Sequence, residues 1–154
     1  MLALSSARLL AATDWEAASA APGVRLNQIQ VIGTHNSYHL EPPAQAVAWK
    51  NSDAVRRAEP RLADLAVKYG HVPLTEQLDR LGVRQIEIDV YPSRDGKDFP
   101  VLHHPVFDER STVPTLGAAL REVRAWSAAH PRHVPVLVQI ELKIHRPPVL
   151  DETA

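Results

Sequence analysis

Residues 84–91, RQIEIDVY, put Ile86, Ile88 and Val90 on one side of an extended chain and Gln85, Glu87, Asp89 and Tyr91 on the other. The segment just before it reads as a short helix. Thr75 caps it, Leu74, Leu78 and Leu81 face one way, and Gly82 ends it with a positive φ. The same grammar recurs along the chain. Residues 28–33 (QIQVIG) form a first strand, and residues 44–68 carry helical spacing at Val55, Leu62, Leu65 and Ala66, broken by Pro60. Beyond a turn-rich stretch at 92–99 come a short strand at 100–104 (PVLHH), a helix at 115–129 with a Leu116, Leu120, Val123 and Trp126 stripe, and a last strand at 134–143. Strands alternating with helices pair in parallel, and parallel sheets are covered on both faces, so the chain reads as an α/β fold.

In such a sheet the polar strand residues need a reason. Glu87 and Asp89 project to the same side about 7 Å apart at the backbone and can share one cation. Glu141 lies in VLVQIEL among apolar neighbours, where a buried carboxylate needs a cation, an opening to water, or a salt bridge to Lys143 or Arg146. Lys143 lies on the same strand face, as a partner for Glu141 or as a phosphate contact. His35 and Asn36 follow one strand and His103 and His104 another, at the strand ends where parallel α/β folds place their ligands. Three carboxylates and an amide oxygen suit calcium or magnesium better than zinc, and calcium is the expected ion. His39, His71, His130, His133 and His145 are assigned no role.

With 17 Lys and Arg against 18 Asp and Glu the formal charge is -1, which gives no reason to expect nucleic acid. The 154 residues are 45% hydrophobic, enough for one domain with a core, and the absence of cysteine removes disulfide and thiolate-metal schemes. No apolar run approaches the roughly 20 residues that span a bilayer, so lipid contact is expected to be peripheral. The opening residues resemble a secretion signal poorly: Arg8 interrupts the apolar stretch, and Asp14 and Glu16 fall where a signal stays uncharged. Residues 1–24 are expected to be a leader or tail, 25–146 the folded unit and 147–154 a polar end.

The ordered set GTHNSYH, PLTEQLDRLGVRQIEIDV, PVLHH and PVLVQIELK resembles the calcium-dependent phosphatidylinositol-specific phospholipase C family, especially its bacterial secreted branch, over residues 25–143. The resemblance implies a TIM-type (β/α)8 barrel with its site at the C-terminal strand ends, Ca2+ as cofactor, a phospholipid substrate and an extracytoplasmic location. It implies His35 as the first catalytic histidine and Asn36, Glu87, Asp89 and Glu141 as metal ligands, with Glu87 also the candidate base. The second histidine aligns with His104, and His103 is the fallback. The implied reaction is attack of the inositol 2-hydroxyl on the phosphodiester, releasing diacylglycerol and a cyclic inositol phosphate. Glycerophosphodiester phosphodiesterases share the barrel and the E-x-D but open with His-Arg-Gly, where this chain has His35-Asn36-Ser37. A full barrel takes about 250 residues, so residues 25–146 read as its first half. Open strand edges then favour self-association, and an inactive, non-enzymatic fragment is the remaining alternative.

Overall fold

The computed structural model describes residues 25–93 and 96–143. The expected leader and polar end lie outside the described residues, as do His145 and Arg146. Three strands, β1 (Ile32–Thr34), β2 (Val83–Val90) and β3 (Leu137–Leu142), form a parallel sheet in the order β1-β2-β3. Parallel neighbours need crossovers. The first runs through α1 (Ala44–Lys50), α2 (Asp53–Ala58), α3 (Pro60–Ala63) and α4 (Leu74–Arg80), and the second through α5 (Leu116–Ala129). The α/β reading therefore holds.

β2 is central and buried along nearly its whole length, with Ile86, Ile88 and Val90 in a core that also takes in Tyr38, Leu74, Val101, Val113 and Ala119. Gly82 leaves α4 at φ +66°, a conformation that costs a side-chain-bearing residue about 1–2 kcal/mol, and this turns the chain straight into β2. Thr115 caps α5, its Oγ1 accepting the Ala118 N–H at 3.2 Å. A smaller core of Val47, Val67 and Phe107 lies under α1.

Several expected elements differ. The first strand begins at Ile32 rather than residue 28, because Gln28 is used locally. Its N–H reaches the Arg25 carbonyl and its Oε1 accepts the Arg25 N–H, both at 2.9 Å, which closes a 3-10 turn over Leu26–Gln28. Pro60 opens α3 at its first turn. Thr75 lies inside α4, where it donates to Glu122, and the helix ends before Leu81, which is exposed together with Leu120 of α5. Residues 100–104 make isolated antiparallel bridges, Pro100 to Thr115 and Val101 to Val90, in place of a strand. Pro100 has no N–H to donate, and the chain then reverses through reciprocal His104 and Asp108 backbone hydrogen bonds of 3.0 and 3.1 Å. β3 starts at Leu137, after Pro135, and is exposed at almost every position.

Candidate metal centre and active site

The β2–β3 register sets Asp89 directly beside Glu141, and the two-residue period of β2 adds Glu87 on the same face. One oxygen from each of the three carboxylates lies within 4.8 Å of the others. Glu87 and Asp89 are buried, while the Glu141 side chain is 50% exposed, contrary to the buried setting its apolar neighbours suggested. β3 has no described neighbour on its far side, so its apolar residues do not enclose Glu141.

Both Asp89 oxygens lack a hydrogen bond, and their polar contact is an ion pair to the Lys143 Nζ, 3.2 Å from Oδ2. Burial pushes the Asp89 carboxyl above its usual range, with Lys143 pulling the other way and Glu87 adding to the rise. Lys143 also donates to Glu141 Oε1 at 2.6 Å, the expected charge pair, and this hydrogen bond holds Glu141 below the usual carboxylate range. Burial works against the charge of Lys143, but Glu141 and Asp89 outweigh it and raise its pKa, so it is an ammonium.

The loop after β1 closes the other side. Asn36 takes φ +48°, a left-handed conformation that asparagine tolerates better than most residues, and its N–H points at Glu87 Oε2, 2.6 Å away. Ser37 ties the same loop to β2 twice: its N–H reaches the Glu87 carbonyl and its Oγ accepts the Glu87 N–H, each at 2.9 Å. The Asn36 amide donates to the Tyr69 hydroxyl at 2.8 Å, and its Oδ1 accepts from the Tyr38 hydroxyl at 3.3 Å. Burial, followed by the Asp89 charge, drives the Tyr38 phenol far above its usual range, so it stays a neutral donor. His35 is exposed, with Nε2 4.0 Å from Glu87 Oε2.

The two neighbouring histidines part company. His104 stacks on Phe107 with ring centroids 4.4 Å apart, and its Nδ1 accepts the Val106 N–H at 3.4 Å. His103 pairs through Nδ1 with Asp108 Oδ2 at 2.7 Å, and its carbonyl accepts from the hydroxyl of Tyr91, which follows Glu87 and Asp89 along the chain by two-residue steps. Asp108 is fully buried and also accepts from His39 Nε2, at 2.9 Å to each oxygen. Burial opposes its charge, but the two histidines win and its carboxyl lies below the usual range. His39 stacks on Tyr69 at 4.3 Å, which links this cluster to Asn36. Contacts of 2.7–2.9 Å are hydrogen bonds, and they are shorter than the roughly 3.3 Å between neighbouring ligand atoms on a tetrahedral zinc.

The structure thus brings Asn36, Glu87, Asp89 and Glu141 together, with His35 at their edge and His103 attached through Tyr91. Sequence reasoning missed Ser37, Tyr38, His39, Tyr69 and Asp108. Only Asp108 left a trace: an aspartate five residues beyond a histidine in a segment too short for a strand. The hard oxygens, with a buried carboxylate that lacks hydrogen bonds, fit a divalent cation that binds oxygen.

Together they define an α/β protein with an acidic, oxygen-lined centre at the C-terminal ends of parallel strands. Residues 24–100 and 97–153 match the model of a family described as phosphoinositide phospholipase C, Ca2+-dependent. The chain belongs to that family, and calcium is the cofactor its description names. No curated protein and no solved structure matches the chain. Among the described residues, no helix is long and apolar enough to cross a membrane.

Proposed function

We propose that this chain carries the catalytic centre for cleaving phosphatidylinositol into diacylglycerol and a cyclic inositol phosphate. The observation that carries the reading is the convergence of Glu87, Asp89 and Glu141 within 4.8 Å beside the pinned Asn36. Asn36 Oδ1, Glu87, Asp89 and Glu141 would hold calcium. When bound, the ion supplies positive charge that acidifies a coordinated hydroxyl and offsets anionic charge on the phosphoryl group.

The chain's own residues do the rest. Glu87, whose Oε2 is fixed by the Asn36 N–H, takes the proton of the attacking 2-hydroxyl. His35, exposed at the rim, donates to a phosphoryl oxygen as charge accumulates there. A histidine acid then protonates the departing glycerol oxygen, a role worth roughly 100- to 10,000-fold in rate. Geometry favours His103 for it over His104. Asp108 engages the His103 Nδ1, which leaves Nε2 as the nitrogen to give up the proton.

The three parallel strands with helical crossovers support reading the fold as part of a (β/α)8 barrel, with 25–146 as its folded portion. Peripheral contact with a phospholipid surface, pairing of the open β3 edge with another copy, and an extracytoplasmic location belong to the same reading. The test is release of cyclic inositol phosphate from phosphatidylinositol vesicles, compared with release from the deacylated analogue. Calcium-dependent cleavage of the intact lipid, abolished by chelator, is the expected result. Cleavage of the soluble diester alone would move the assignment to a glycerophosphodiesterase.

A further inference from the structure

The residue that the calcium reading leaves over is Lys143. The centre that would hold the ion already contains a cation: the Lys143 Nζ lies 2.6 Å from Glu141 Oε1 and 3.2 Å from Asp89 Oδ2. These are two of the three clustered carboxylates. The position is not a chance excursion of a long side chain. The Lys143 N–H bonds the Val90 carbonyl at 2.8 Å, extending the β2–β3 pairing one step and putting the side chain on the face of Glu141 and Asp89. The side chain is only 26% exposed, and Asp89, which it partly neutralises, has no hydrogen bond of its own.

Calcium takes six to eight oxygens at about 2.3–2.6 Å. An ammonium 2.6 and 3.2 Å from two of the available oxygens engages atoms that the ion would need, and two cations sharing those oxygens repel strongly in a partly dehydrated site. We propose that Lys143 is a tethered counter-ion that competes with calcium for Asp89 and Glu141 and so sets the calcium affinity of the centre. It keeps the carboxylate cluster neutralised and assembled while no metal is bound, and it must leave Asp89 when calcium arrives. The inference rests on the calcium reading of this site, and it makes occupancy depend on displacing a built-in rival rather than on filling an empty cage.

Calcium titration of the full chain by calorimetry, in the wild type, Lys143→Gln, Lys143→Arg and Arg80→Gln, tests it. Arg80 pairs with Glu76 on α4, so its loss changes net charge equally without touching the centre. Lys143→Gln should bind calcium about 10- to 100-fold more tightly, while Lys143→Arg and Arg80→Gln stay within about threefold of wild type. The calcium-induced rise in Tm, read on the same samples, should be larger for Lys143→Gln even where its metal-free Tm is lower. Unchanged or weaker binding by Lys143→Gln, with wild type binding normally, overturns the role of Lys143 and leaves the calcium site standing. Equal tightening in Arg80→Gln overturns it too, by reducing it to net charge. If neither wild type nor Lys143→Gln binds calcium, both this inference and the calcium reading fail.

Discussion

The two sides of the centre are built differently. On the β1–β2 side, Asn36 and Glu87 are fixed by backbone: the Asn36 N–H on Glu87 Oε2 and the paired hydrogen bonds between Ser37 and Glu87 leave neither group free to move. His103 belongs to this side, held by the buried Asp108 that His39 grips from behind. On the β3 side, Glu141 is half exposed and its one described hydrogen bond comes from Lys143, an ammonium on a flexible stem. Asp89 stands between them, rigidly placed on β2 yet without hydrogen bonds. Glu87, which must meet a reacting proton at one geometry, is held by main chain, whereas the groups that exchange one cation for another are held by side chains.

Asp89→Asn should break the centre most completely. It removes the one ligand that is both buried and unsatisfied, so calcium binding should fall at least about 100-fold and lipid cleavage with it. Stability should move the other way or not at all. The Asp89 pKa is raised in the fold, so its ionisation costs stability once pH passes its ordinary value, and the amide carries no such cost. Urea unfolding of the metal-free chain at pH 8 is the check. A large drop in metal-free stability would mean that Asp89 is a structural anion held by Lys143 rather than a waiting ligand.

The paired histidines test the rigid side next. His103→Ala should lower turnover of phosphatidylinositol by about 100- to 10,000-fold, while His104→Ala, which loses contact with Phe107, should cost less than about threefold. A nitrophenyl leaving group needs no acid, so it should restore much of the rate in His103→Ala. Equal losses in both variants on both substrates would show that the held histidine has no special part.

Ser37→Ala sharpens the comparison while leaving every proposed ligand and reacting side chain in place. It strands the buried Glu87 N–H and removes a donor to the Thr34 carbonyl at 2.9 Å, a loss of about 1–3 kcal/mol by urea denaturation. Calcium affinity should weaken with it because Glu87 loses one of its three anchors. A variant that loses stability but binds calcium unchanged would place the rigidity elsewhere.

What could be read from the sequence follows the same division. The period-two pattern of residues 84–91 located β2 and put Glu87 and Asp89 on one face, because strand alternation is a local property. Gly82 marked a helix boundary for an equally local reason, its positive φ, whereas Thr75, expected as a cap, lies inside α4 behind Pro73. Exposure of Glu141 was misjudged because apolar neighbours along a strand say nothing about whether another layer covers it. The proposed preference for His103 over His104 rests on Asp108, which meets His103 only after the chain reverses at 104–108. Tyr38 and Tyr69, which fix the Asn36 amide, come together across some thirty residues that hold α1, α2 and α3, a non-local meeting that the helical spacing of residues 44–68 does not specify.

Glu141→Gln should have the smallest effect and bears directly on the adaptable side. Its pair with Lys143 is half exposed, and pairs of that kind are worth roughly 0–1 kcal/mol, so Tm should scarcely change. Calcium affinity has two opposing contributions. The amide is a weaker ligand than a carboxylate, but losing Glu141 also loosens Lys143 and leaves it with Asp89 alone. The net expectation is about a three- to tenfold weaker calcium Kd by calorimetry, well short of the loss in Asp89→Asn. In the Lys143→Gln background the competitor is gone and only the ligand term remains, so the same substitution should cost more there. Equal costs in the two backgrounds would show that Glu141 and Lys143 act independently, and the β3 side would then be a second rigid wall rather than the exchanging one.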